Sequence, residues 1–239
     1  MLDTGSPSGV WAVAFHPDGM HLLGGGDGGV GRWRLADGQE VGKRTGMNLR
    51  AITVSRDGKW IVCGTREGGA NVWDAELHEK LTNVEGTKAV YGIDVSPDST
   101  KFASGTGYPD YEASIWSIVN GKRLVGPLKH DHHVTGIRFS PNGDHLATFI
   151  SGGRVRVFGS HGDQLLNIKA NSPLGRAWSV TPLAWSNDGR QFFMITDNKK
   201  IKSFAFPVGS QLAESPILHC ERSISLACNG EIRRYCRGR

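Results

Sequence analysis

The sequence predicts an all-β fold built from one repeated unit, and three observations carry that prediction. A turn motif recurs five times at nearly constant spacing, an alternating run ending in an aromatic residue follows each copy, and no window sustains a 3.6-residue apolar period. Glycine supplies 33 of the 239 residues, roughly twice its usual share and without an every-third-residue period. Many tight turns are therefore expected.

The first unit runs Val13-Ala14-Phe15, turns at His16-Pro17-Asp18-Gly19, continues through His21-Leu22-Leu23-Gly24 and closes at Trp33. The second repeats the order with Ile52-Thr53-Val54, Ser55-Arg56-Asp57-Gly58, Trp60-Ile61-Val62-Cys63-Gly64 and Ala70-Asn71-Val72-Trp73. The third has Ile93-Asp94-Val95, Ser96-Pro97-Asp98-Ser99 and a closing Trp116. The fourth has Ile137-Arg138-Phe139, Ser140-Pro141-Asn142-Gly143 and a run from Arg154 to Phe158. The fifth has Leu183-Ala184-Trp185, Ser186-Asn187-Asp188-Gly189 and a close at Phe204. The third positions of these copies are 39, 41, 44 and 46 residues apart. Short apolar or alternating runs bounded by Asp, Asn and Gly are strands, so each unit is a small antiparallel sheet. A sixth copy, Ser223 to Gly230, begins on period before Glu231-Ile232-Arg233-Arg234 breaks the pattern.

One spacing is irregular in the same way in every unit. The opening apolar residues are three apart and then two apart: Val10/Val13/Phe15, Leu49/Ile52/Val54, Val90/Ile93/Val95, Val134/Ile137/Phe139 and Val180/Leu183/Trp185. A regular strand cannot put residues three apart on one face, but one extra residue in a β-bulge can. The bulges fall at Trp11-Ala12, Arg50-Ala51, Tyr91-Gly92, Thr135-Gly136 and Thr181-Pro182. Their second member is small or proline and their first member varies freely.

The Ser-Pro-Asp-Gly-like turns and closing aromatics, at a period of 39 to 46 residues, resemble the WD-repeat β-propeller family, in which each repeat makes one blade. Only Trp73-Asp74 keeps the naming Trp-Asp dipeptide; Trp33-Arg34, Trp116-Ser117, Phe158-Gly159 and Phe204-Ala205 depart from it. The turn acid six residues before the close survives as Asp27, Glu67 and Asp110, and His130 is the nearest match to the family's His marker. The resemblance implies four-stranded blades: about five, occupying 1–218 from units starting near 9, 48, 89, 133 and 179, plus a truncated sixth and basic tail at 219–239. It implies structural roles for Trp33, Trp73, Trp116, Phe158, Phe204, Asp27, Glu67 and Asp110. It places the first bulge residues Trp11, Arg50, Tyr91, Thr135 and Thr181 at the mouth of the propeller, on the partner-binding surface. Five blades and a stub are expected to leave the ring unclosed, as a piece of a longer propeller would, with additional chain needed to close it.

Other chemistries find little support. Gly24-Gly25-Gly26-Asp27-Gly28-Gly29 formally matches a dinucleotide fingerprint, but a strand and not a helix follows it. His130-Asp131-His132-His133 offers a pair of ring nitrogens on one face and lacks the further ligands a closed metal site needs. The cysteines, Cys63, Cys220, Cys228 and Cys236, form no C-x-x-C pair. No nucleophile elbow, zincin helix or Walker loop occurs, and no apolar stretch reaches the roughly 20 residues of a membrane helix. Net charge is +5, and the tail from His219 holds five arginines against two glutamates. The expectation is an intracellular, cytoplasmic or nuclear, non-catalytic scaffold that binds proteins or peptides, with no cofactor, metal or membrane. Two alternatives stand beside it: a module using the basic tail on nucleic acid or another acidic surface, and a propeller-type hydrolase.

Overall fold

The computed structural model describes residues 9–42, 44–75, 79–84, 88–169, 183–195 and 200–216; Thr181 and the expected sixth unit lie outside them. Among the described residues there is no helix, and the strands form five antiparallel sheets. The first holds β1 (Ala12–Phe15), β2 (His21–Gly26) and β3 (Gly29–Arg34). The second holds β4 (Leu49–Val54), β5 (Trp60–Thr65), β6 (Ala70–Asp74) and β7 (Lys80–Val84). The third holds β8 (Val90–Val95), β9 (Lys101–Thr106), β10 (Glu112–Ser117) and β11 (Arg123–Lys129). The fourth holds β12 (Val134–Phe139), β13 (His145–Ile150), β14 (Arg154–Gly159) and β15 (Gln164–Lys169). The fifth holds β16 (Leu183–Trp185), β17 (Gln191–Ile195), β18 (Lys200–Ala205) and β19 (Gln211–Pro216). Strands pair in sequence order within each sheet, as in propeller blades.

The turn joining the first two strands of a blade is built the same way in four copies. The Ser hydroxyl donates to an Asp or Asn oxygen two residues on, at 2.5 Å in Ser55–Asp57 and Ser96–Asp98 and 2.6 Å in Ser140–Asn142 and Ser186–Asp188. The same hydroxyl accepts the backbone N–H that opens the next strand, from Trp60, Lys101, His145 and Gln191, at 2.9–3.0 Å. The following residue must turn left-handed, which glycine does at Gly58, Gly143 and Gly189. Ser99 does so at φ 59°, and its side chain bonds the Asp57 carboxylate of the preceding blade. In the first blade His16 replaces the serine, and its ring and that of His21 both meet Asp18. Burial opposes ionisation of Asp18, but the His21 ring bond, the Met20 N–H and the His16 ring outweigh it and hold the carboxyl well below its usual range.

Because side chains alternate across a strand, each blade acquires two unlike faces. The leading face carries large residues from the first two strands, such as Ile93, Val95 and Phe102; the trailing face carries small ones, such as Ala103 and Ala113. Each interblade core joins the trailing face of one blade to the leading face of the next: Val62, Ala70 and Val72 meet Val90, Ile93, Val95 and Phe102. Ala147, Phe149, Val155 and Val157 likewise meet Leu183, Trp185 and Phe192. Glycine permits the closest approach, since a Cβ on Gly105 would stand 2.6 Å from Val134 Cγ1.

One feature qualifies the sequence expectation of four-stranded blades, and a second bears out the expected unclosed ring. The first blade has three strands, and its outer edge is reduced to isolated bridges from Val30 to Thr45 and from Trp33 to Glu40. Inner strands pack in succession, β1 on β4, β4 on β8, β8 on β12 and β12 on β16. That succession does not return to β1, so the five described sheets make an open arc.

Two substitutions test this account by chemical denaturation. Ser99→Ala is expected to be less stable than Ser99→Gly by ~1 kcal/mol, because both lose the Asp57 bond but only alanine keeps the left-handed penalty. Gly105→Ala is expected to cost about 1–3 kcal/mol, as an added methyl must displace Val134 and the packed core around it.

Candidate partner-binding face

The bulges occur where the spacing put them in the three central blades. Register skips between Leu49 and Ala51, between Val90 and Gly92 and between Val134 and Gly136, leaving Arg50, Tyr91 and Thr135 as the extra residues. In the first blade the Trp11 N–H donates to Gly25 O at 2.9 Å while Ala12 pairs with the same Gly25. These residues stand at or just before the start of four neighbouring inner strands.

Their side chains do different things. Trp11 is 43% exposed, and the Arg50 guanidinium lies 4.2 Å from its ring centroid, joining blades one and two by a cation–π contact. Tyr91 is half-buried and meets the His133 ring edge-on at 5.6 Å. Thr135, expected to emerge with them, is instead buried at 3% exposure. Its short β-branched side chain ends below the surface that the longer Trp, Arg and Tyr side chains reach.

The sequence reading missed the neighbours of Tyr91. His133 is also met by Tyr111 at 5.2 Å, and Tyr111 lies 6.0 Å from His132 and 6.1 Å from Tyr108. Tyr108 is 73% exposed. Tyr111 adopts a left-handed φ of 47°, which costs an L-residue energy and turns the short β9–β10 loop back on itself. Gly107 leaves the space that the rings of His133 and Tyr91 fill. Burial, then the adjacent His132, lower the His133 pKa below its ordinary value. The available signal was Gly-Tyr-Pro-Asp-Tyr and His-His, two short segments whose proximity only the blade geometry creates.

His130 is structural. Its Nδ1–H donates to Leu128 O at 2.8 Å, and Nε2 lies 3.0 Å from the Thr148 hydroxyl, with the Phe158 ring edge-on at 5.6 Å. Burial pulls its pKa down to about 4, overcoming the Leu128 bond. The third blade holds the complementary pair, Trp116 Nε1–H donating to Ser104 Oγ at 2.8 Å. In the second blade the equivalent of Ser104 is Cys63, and the buried Trp73 Nε1 has no hydrogen-bond acceptor among the described residues. Trp33, Phe158 and Phe204 are buried, while Trp73 and Trp116 are half-buried; the Arg123 guanidinium lies 4.7 Å from the Trp116 ring centroid. Of the turn acids, Glu67 is exposed and accepts from Asn48 Nδ2, and Asp27 and Asp110 are half-buried. The Gly24–Gly29 segment is the β2–β3 hairpin, and among the described residues no three His, Cys, Asp or Glu side chains gather as metal ligands.

This architecture, five antiparallel sheets stacked leading face on trailing face, is that of propeller blades. Residues 2–34, 40–74 and 122–159 match the WD domain, G-beta repeat, so the chain carries WD repeats at these three positions. Similar curated proteins include eukaryotic translation initiation factor 3 subunit I of Lodderomyces elongisporus, 26% identical over 69% of this chain and 50% of that protein. Actin-interacting protein 1-2 of Arabidopsis thaliana is 30% identical over 58% of this chain and 23% of its own length. The U3 small nucleolar RNA-associated protein 15 homolog of Gallus gallus is 32% identical over 44% and 20%. The chain thus spans half or less of the length of these relatives.

The His130 site predicts a pH dependence. A folded pKa near 4 against an unfolded value near 6.5 means the folded state favours the neutral ring. Its contribution is complete above pH 6.5 and is lost as pH falls toward 4, amounting to about 3 kcal/mol. Urea unfolding of wild type should weaken across that window, and His130→Gln should flatten the change.

Proposed function

We propose that this protein is a non-catalytic, intracellular platform for protein–protein interaction, and that partners bind where the inner strands begin and Trp11, Arg50 and Tyr91 emerge. The observation that carries the reading is the run of bulges, which re-aims one freely varying side chain per blade out of the repeated packing. Three of those choices are Trp, Arg and Tyr, the types that dominate binding hot spots. The Trp11–Arg50 stack and the Tyr91–His133–Tyr111 packing hold these side chains in place before a partner arrives, which lowers the ordering cost of binding. The relatives' titles, a translation initiation factor subunit and an actin-interacting protein among them, support a role in protein assemblies. The basic tail that would serve nucleic acid lies outside the described residues.

The test is affinity purification with wild type, a Trp11→Ala/Tyr91→Ala double variant and a Val119→Ser control in the β10–β11 turn, where Val119 is 80% exposed. Each aromatic truncation is expected to weaken partner binding by ~2 kcal/mol or more. The double variant should therefore lose the partner set that the control retains while its circular dichroism still reports a folded β protein. Recovery of the same partners by the double variant would overturn the assignment. A partner interaction that collapses steeply with salt would point to phosphate contacts instead.

A further inference from the structure

A different surface exposes apolar side chains that its counterparts bury. In β4, β8, β12 and β16 the leading-face residues Leu49, Ile52, Val90, Ile93, Val95, Val134, Ile137, Phe139, Leu183 and Trp185 are 0–9% exposed, each covered by the blade before it. Their counterparts in the first blade, Val10, Val13 and Phe15, are 44%, 57% and 58% exposed. The opposite end of the arc shows the converse. Phe193 and Ile201, on the trailing face of the fifth blade, are half-buried, although the matching Val62, Ala103 and Ala147, and Ala70, Ala113 and Val155, are all buried. Among the described residues, therefore, one leading face is uncovered and one trailing face is partly uncovered. It also contains four worked examples of how such faces join.

We propose that these two ends are the halves of one interface, and that the leading face of the first blade docks on the trailing face of the fifth blade of a second copy of this chain. The contact continues the interblade packing already made four times within the chain. It asks for the same chemistry on each side: an aliphatic and aromatic ridge from the first two strands of one blade against the second and third strands of another. Both faces are apolar, and removing Val13 and Phe15 from water supplies the driving force. The two surfaces differ, so the interface is heterologous, and copies add head to tail into a ring or a growing chain. The docked faces are those of the first and fifth blades and not the starts of the inner strands at Arg50 and Tyr91, so this interface does not rest on the partner-binding reading.

The heterologous geometry gives a complementation test with the full chain. Size-exclusion chromatography with light scattering should show wild type associating as concentration rises. Phe15→Asp blocks only the leading face and Phe193→Asp only the trailing face, so each alone should be monomeric, its association weakened tenfold or more. An equimolar mixture of the two should form a dimer and nothing larger, because Phe193→Asp molecules keep an intact first blade and Phe15→Asp molecules an intact fifth. Val13→Asp and Ile201→Asp repeat the two arms should either first variant fail to fold by circular dichroism. Wild type that stays monomeric at every concentration, with β1 as protected from hydrogen exchange as β8, would show the two faces closing within one chain and overturn the proposal. Association that survives both substitutions, or that the mixture fails to restore, would overturn it as well.

Discussion

The serine hydroxyl in the turn between the first two strands of a blade sets the register on which everything else depends. It donates to the Asp or Asn oxygen and accepts the first N–H of the following strand, locking a left-handed turn whose length cannot vary by one residue. A slip of one would exchange the two faces of the second strand. Phe102 and Leu146 would leave the leading face, Ala103 and Ala147 would take their places, and large would no longer meet small between blades. The lowered pKa values of Asp57, Asp98 and Asp188 belong to the same motif. In each, hydroxyl and backbone N–H bonds hold the carboxylate ionised, so the turn keeps its acceptor throughout the physiological range.

What could be read from the sequence follows from which interactions are local. Turn, strand alternation and bulge each depend on residues within a window of about ten, which is why the repeats, the all-β class and the skips at Arg50, Tyr91 and Thr135 were accessible. Contacts between blades were not. The Ser99 bond to Asp57 spans two units, and so does the acceptance of the Phe139 N–H by Asp94 Oδ2 at 2.8 Å. Burial pushes the Asp94 carboxyl up in pKa, while Arg138 from the next inner strand counters it at 3.8 Å. The aromatic cluster around His133 draws on three segments that no local pattern links. The burial of Thr135 has a simpler source: a bulge aims a side chain, but side-chain length decides whether it reaches the surface.

Departures from the family pattern divide an interaction network between neighbouring blades. The third blade retains the Ser104–Trp116 pair and the fourth the His130–Thr148 pair, with Phe158 supplying shape but no donor. Packing substitutes where hydrogen bonding lapses: in the fifth blade Met194 fills the serine position, and Phe204 stacks on Phe192 at 5.4 Å. Such cores hold together by complementary volume, and they give up the directional bonds that would otherwise fix a ring's orientation.

Cys63 draws a practical consequence from this packing. Its thiol sits in the core between the first two blades, and burial pushes its pKa up to about 12, so no thiolate forms at neutral pH. Oxidants and alkylating reagents attack the thiolate, and this sulfur becomes chemically accessible only when those blades separate. The protein thus carries an internal clock for the parting of its first interblade seam, readable as the rate at which the Cys63 peptide acquires a label while the rest of the molecule stays folded.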